Sequence, residues 1–283
     1  MAAYAPSPLR GTSGLALAQQ VRPHADDLGL HPAVDRAIFQ AYEHGALAGA
    51  SILVGGKTFR SAAAEARQLG MPTWLHLALV DSEPVSAPGE IPSLVGRDGR
   101  FPQTFPLVVA RGLVGSVAAR DLDLEISRQI QRFGEAGLAI DGAIRLDGHQ
   151  HLHVLPAVTT SILKFAGSSR ISHVRQPMRS PAERNPRSLR VTLFGLVDLL
   201  SAHAAHRLRL RNVQMIPCWG SVYAGHLTLP RARALLRSLP PHASGQLICH
   251  PGTDNPALRA SYPWAYDWEG DLATILALGV DVG

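Results

Sequence analysis

The chain has 283 residues, 46% of them apolar and only 17% charged, so it can bury a sizeable core and is not globally disordered. Its formal charge of +5 comes mostly from scattered arginines. The two local concentrations, Arg179 to Arg190 and Arg207 to Arg211, are not interleaved with aromatics, which argues against a nucleic-acid partner and leaves an anionic substrate or a membrane surface as what they could meet.

In chain order, Met1 to Gln20 is too broken for a signal peptide or a spanning helix and reads as an extension before a domain at 21–283. Leu17 to Arg22 is a weakly apolar first strand, followed by Pro23, His24 and the acidic pair Asp26-Asp27. The spacing of Val34, Ile38 and Tyr42 predicts a helix from Pro32 to His44, and Ala50 to Gly55 reads as a strand. A helix from Thr58 to Leu69, a strand from Thr73 to Leu79 and a long loop from Val80 to Pro102 follow. The apolar segment Phe105 to Val109 reads as the buried face of a helix, with contact to a glycolipid as the alternative. Leu122 to Ala136 is an amphipathic helix with Asp121 or Asp123 as N-cap and Gly137 at its end. The strand Gly142 to Leu146 leads into a histidine-rich run, and Pro156 starts a helix to Phe165. Short strands at Ile171 to Val174, Val213 to Ile216 and Leu247 to Cys249 alternate with helices at Leu189 to His206, Leu229 to Leu239 and Glu269 to Leu278. Gln176 to Pro186 reads as a surface loop, and Val280 to Val282 is a candidate last strand. Seven or eight strand–helix units without a linker predict an α/β fold, a single-domain (β/α) barrel, complete or distorted. Cys218 and Cys249 lack metal or redox spacing and read as small buried hydrophobes in a reducing, cytoplasmic setting.

The polar exceptions to this apolar pattern fall at strand ends, where barrels carry chemistry. Leu146-Asp147-Gly148-His149-Gln150-His151-Leu152-His153 packs three of the thirteen histidines beside a carboxylate. In an extended run Asp147, His149, His151 and His153 share one face, a potential set of ligands for a divalent ion. If the strand ends near His149 the alternation fails, and His151 and His153 become supporting residues. Asp26-Asp27, His76 and His250 sit at other strand ends. Each has a plain structural alternative: a helix cap, a core histidine and a strand-ending turn. Adjacent carboxylates repel unless a cation or proton intervenes, so a metal on one would leave the other as a base.

Taken in order, Ala25-Asp26-Asp27-Leu28-Gly29-Leu30, Leu75-His76-Leu77-Ala78-Leu79, Glu90-Ile91-Pro92-Ser93-Leu94, Asp98-Gly99-Arg100-Phe101 and the Asp147–His153 run with Pro156 resemble the YdjC-like family of carbohydrate deacetylases. That family includes chitooligosaccharide deacetylases and the hopanoid-biosynthesis deacetylase. The resemblance is specific over about residues 22–160 and thins to Val174-Arg175-Gln176-Pro177 and Cys249-His250-Pro251-Gly252. The family's aromatic after Asp-Asp is Leu28 here, and Pro23-His24 replaces a hydrophobic strand end and Asn, which predicts a distorted first strand.

What the resemblance implies is a divalent metal, magnesium or zinc, held by Asp27, His76 and His149. It also implies removal of an acetyl group from an N-acetylated oligosaccharide or glycolipid head group by attack of metal-bound water. Asp26 is the candidate general base and His250 the candidate acid for the leaving amine. Asp147 holds a ligand histidine. Arg175 is assigned to substrate hydroxyls or an oxyanion, and His151 and His153 to support. The expected partners are that saccharide or glycolipid and a possible homodimer mate, with no nucleic acid and no stable membrane insertion. Two alternatives stand beside this reading. A catalytically silent sugar-binding homologue would keep the pocket, and a 2-His-1-carboxylate iron oxygenase would share the ligand types.

Overall fold

Seven parallel strands close on themselves in the computed structural model, which describes residues 20–102, 117–166, 170–184 and 189–280. Strands β1 (Gln20–Leu28), β2 (Ala50–Ile52), β3 (Thr73–Leu77), β4 (Ile144–Gly148), β5 (Ile171–Pro177), β6 (Gln214–Trp219) and β7 (Ser244–Cys249) pair in sequence order. The ring is completed by β1 against β7. Helices α1 (Pro32–Glu43), α2 (Phe59–Gln68), α3 (Ala119–Glu135), α4 (Pro156–Ala166), α5 (Leu189–Arg209), α6 (Leu229–Ser238), α7 (Pro256–Ser261) and α8 (Trp268–Val280) surround it. The expected α/β barrel is therefore closed on seven strands. Val280 belongs to α8 rather than to an eighth strand, and 281–282 lie outside the described residues, as does 105–109.

The period-two alternation of the strands separates two environments. Ala25, Ile52, Leu75, Leu146, Val174 and Leu247 are buried in the apolar layer between sheet and helices. The alternate positions carry His24, Ser51, His76, Asp147, Arg175 and Gln246, all buried. Their hydrogen bonds cross between strands that are not neighbours: Ser51 on β2 reaches Asp147 on β4, and Arg175 on β5 reaches Asp26 on β1. Only the barrel interior offers such paths, so this barrel has a polar lumen inside an apolar sleeve.

Several boundaries differ from the sequence expectation for local reasons. Helix α3 begins after Ala118, not at an aspartate cap; Asp121 instead accepts hydrogen bonds from the Ser93 backbone and hydroxyl. Glu125 likewise accepts from the Val85 and Ser86 amides, so α3 holds the 80–102 loop against the barrel. Strand β5 continues to Pro177, paired with Cys218, because a proline at a strand end withdraws no needed donor. No helix among the described residues is long and apolar enough to cross a membrane.

Candidate active site

Strand β1 solves the problem of pointing two successive aspartates at one place. Residues Gln20 to Ala25 pair regularly with β7, through Pro23 and His24. The distortion falls further on: the register with β2 shifts between Ala25 and Leu28, and Asp27 has φ 69°. Aspartate tolerates this left-handed conformation better than most side chains. The kink breaks the alternation that would send neighbouring side chains to opposite faces. Both carboxylates are buried. The pair does not cap α1, because His31 takes that role by accepting from the Ala33 amide at 3.1 Å.

Asp27, His76 and His149 come together from the ends of β1, β3 and β4. One ligand atom from each lies within 4.8 Å of the others. Asp27 Oδ1 is 2.9 Å from His149 Nδ1 and 3.4 Å from His76 Nε2, and the two ring nitrogens are 3.3 Å apart. On its other side His76 donates from Nδ1 to Asp147 Oδ1 at 2.6 Å, which fixes the tautomer and leaves Nε2 facing the cluster. Neither oxygen of Asp27 has a hydrogen-bond partner although both are buried. Such orphaned acceptors are costly alone and suited to a cation. Burial would raise the Asp27 carboxyl, but the neighbouring histidines hold it well below the ordinary carboxylate range. Burial likewise opposes protonation of the imidazoles, yet Asp147, Asp26 and Asp27 raise His76 to about 10. Asp27 and Asp81 raise His149 to about 9. Both shifts show that the carboxylates favour positive charge at this place, which one divalent ion would supply. The one-oxygen, two-nitrogen donor set fits that ion.

Below this cluster runs a closed circuit of hydrogen bonds centred on Arg175, whose side chain is fully buried. Its Nε donates to Gln246 Oε1 at 2.8 Å, one terminal nitrogen to Asp26 Oδ2 at 2.7 Å and the other to Ser51 Oγ at 3.2 Å, while that last nitrogen also forms an ion pair with Asp147 Oδ2 at 2.5 Å. Ser51 also donates to Asp147 Oδ2, so its oxygen is left to accept from His24 Nε2 at 2.9 Å. The remaining His24 nitrogen, Nδ1, faces the Gln246 amide at 3.3 Å. Burial and then the Arg175 charge push His24 well below its ordinary value, so it stays neutral in this circuit. His24, Asp26 and Asp147 could together hold a second ion, but Arg175 already supplies the positive charge there.

The family model described as YdjC-like protein matches residues 23–278. The chain belongs to the YdjC-like protein family. A carbohydrate deacetylase of Homo sapiens is 30% identical over 245 residues, covering 81% of this chain and 73% of that protein. The mouse carbohydrate deacetylase is 33% identical, covering 81% and 76%. A chitooligosaccharide deacetylase of Serratia marcescens is 30% identical over 144 residues, half of this chain and 54% of its own length. A crystal structure from Enterococcus faecalis V583, provisionally assigned to cellobiose-phosphate cleavage, superposes with a TM-score of 0.70 at 19% identity. It covers 93% of this chain and 94% of its own and supports the fold alone.

The other sequence-selected residues of this YdjC-like chain fall into place around the cluster. His149 starts a short 3-10 turn, His149–Val154, in which Gln150 and His151 have φ of 51° and 58°. The strand has ended, so the run does not present three histidines on one face. His153 Nε2 donates to the Arg175 carbonyl at 3.0 Å, and the His151 ring lies against His153 and Phe194. Arg175 is engaged by protein groups rather than placed at an open surface. His250 is buried, with Nδ1 unpartnered and its amide donating to Asp271 at 2.9 Å. Burial pushes its imidazole down, against the pull of Asp27 and Asp26. The basic loop is described only in part; Arg179 is bound to Asp198 at 2.7 Å.

Sequence reasoning passed over Ser51 and Gln246, and took His24 only as a departure. Their signal was an isolated polar residue inside an apolar strand. Asp81 also escaped notice. Its carboxylate lies 3.8 Å from His149 Nε2 and accepts from Gln150 at 2.6 Å, with its backbone at φ 53°.

Proposed function

We propose that this chain is a metal-dependent carbohydrate N-deacetylase, hydrolysing the acetamide of an N-acetylated sugar in an oligosaccharide or glycolipid head group. The observation that carries the reading is the cluster of Asp27, His76 and His149, whose buried aspartate meets the two imidazoles without a well-formed hydrogen bond, beside a second carboxylate, Asp26. A divalent ion there would supply an ionisable water and polarise the acyl carbonyl.

The protein's own groups divide the remaining work. Asp26 keeps Oδ2 against Arg175 while Oδ1 has no partner, so that oxygen is available to take a proton. Arg175 holds Asp26 in place through that contact. Asp147 orients His76 through Nδ1. His250, with a free buried nitrogen, is the group assigned to protonate the leaving amine. Expulsion of an amine without such a proton is slow. The iron-oxygenase alternative rests on a double-stranded β-helix, and a closed parallel barrel is not that scaffold.

The test is acetate release from N-acetylated chitooligosaccharides after chelation and reconstitution with single divalent ions. Asp27→Ala should lose both bound metal, read by elemental analysis, and activity. Asp26→Asn should retain metal and lose activity. Undiminished acetate release from Asp26→Asn would remove Asp26 as the base. Sugar binding without turnover in any metal would identify a silent homologue.

A further inference from the structure

The segment Tyr262-Pro263-Trp264-Ala265-Tyr266-Asp267-Trp268 places an aromatic at every second position. In extended chain such residues share a side, and here the four rings are in mutual contact. Trp264 lies 5.1 Å from Tyr262, 5.3 Å from Tyr266 and 5.9 Å from Trp268 between centroids. The intervening Pro263, Ala265 and Asp267 are exposed. Tyr262 and Trp268 are buried and act as bookends, whereas Trp264 and Tyr266 between them are half-buried.

The two half-buried rings stand against the polar cluster. Trp264 is 5.5 Å from the His149 ring, and Tyr266 is 5.2 Å from the His250 ring. An aromatic group serving only as core filling would be covered by apolar neighbours. These two instead keep accessible area beside a buried set of charged groups. The wall is also held rigidly. The Asp267 amide donates to Gly225 O at 2.8 Å, the Gly252 amide to Trp268 O at 3.1 Å, and Arg259 to Tyr266 O at 3.1 Å. Gly225, at φ +71°, lies so close that a Cβ there would come within 2.1 Å of the Tyr266 ring.

We propose that Trp264, supported by Tyr266, is the platform on which a pyranose ring of the substrate sits, with its 2-acetamido group turned toward Asp27, His76 and His149. This rests on the deacetylase reading. The axial C–H face of a pyranose is apolar and its rim is hydroxylated, and a rigid half-exposed indole matches that face at low entropic cost. The platform would select for a ring-bearing amide and discriminate against an acyclic one.

Calorimetric titration with N,N′-diacetylchitobiose, its tri- and tetrasaccharide homologues and N-acetylethanolamine tests this without needing turnover. The wild-type chain should bind the sugars and not the acyclic amide. Trp264→Ala should weaken sugar binding by about tenfold or more, the loss of one buried aromatic contact. Trp264→Phe should recover most of it, and metal content should be unchanged in both. Equal sugar affinity in wild type and Trp264→Ala would overturn the platform, as would failure of the wild type to bind any sugar of the series. Sugar binding that depends on Trp264 with no acetate released would keep the platform and remove the deacetylase reading.

Discussion

Replacing Arg175 by Met tests the account of the polar lumen most directly. The guanidinium is fully buried and touches Asp26, Asp147, Ser51 and Gln246 at 2.5 to 3.2 Å. Burial would lower its pKa, but Asp147 and Asp26 raise it further above its ordinary value, so the cation is permanent. Methionine fills similar volume and removes the charge. Two buried carboxylates are then left without their counter-ion, a change that typically costs about 3–5 kcal/mol. At about 2 °C per kcal/mol for a chain of this size, the melting temperature of metal-free protein should fall by about 6–10 °C. Circular dichroism melts in chelator measure it. The double variant Arg175→Met with Asp26→Asn removes one stranded charge. It should be more stable than the sum of the single effects by about 1–3 kcal/mol. A melting temperature for Arg175→Met within about 2 °C of wild type, or strict additivity in the cycle, would refute the claim that Arg175 neutralises this interior.

Asp271 accepts from the Leu227 and His250 amides at 2.8 and 2.9 Å, and burial raises its carboxyl to about 7. Its folded pKa lies above the unfolded value of about 3.9, so its ionisation costs stability as pH rises from about 4 to 7, by about 4 kcal/mol in all. Urea unfolding at pH 5 and pH 8 should therefore show Asp271→Asn gaining on wild type as pH increases; a constant difference would contradict the assignment. Gly225→Ala puts a methyl group into the Tyr266 ring at positive φ, so it should weaken sugar binding while leaving metal content intact. Loss of metal with retained sugar affinity in that variant would show that the aromatic wall serves the ion instead.

The barrel was legible because strand and helix periods alternate along the chain, and the cluster was legible because Asp27, His76 and His149 interrupt apolar runs at strand ends. What escaped depends on long-range pairing. Leu53-Val54-Gly55 looked like more of β2, but the chain turns there, the Gly56 amide closing on Leu53 O. Pro23 and His24 looked like a flaw in β1. In the barrel Pro23 pairs opposite Leu247 with its carbonyl accepting from Ala48, and His24 is a member of the Arg175 circuit. Ser51 and Gln246 carry no catalytic signal by type; only strand closure shows that they link β1, β4 and β5. The alternation of aromatics from Tyr262 to Trp268 is readable in the sequence, but only the fold brings Trp264 and Tyr266 against His149 and His250.

The kink at Asp27 is the step that joins fold to chemistry. In a regular strand Asp26 and Asp27 would face opposite layers, Asp27 pressed into the apolar sleeve with Ala25, where an ionised carboxylate is not tolerated. Positive φ at Asp27 brings both inside, at the expense of two like charges close together. The barrel separates them by environment. Asp26 gives one oxygen to a permanent cation drawn from β5, while Asp27 turns Oδ1 to imidazoles from β3 and β4 and leaves Oδ2 without a partner. Arg175 also braces Asp147, and Asp147 in turn sets the tautomer of His76. Removing the arginine should therefore disturb both the proposed base, Asp26, and the proposed metal ligand His76, even though it does not touch the Asp27, His76 and His149 cluster directly.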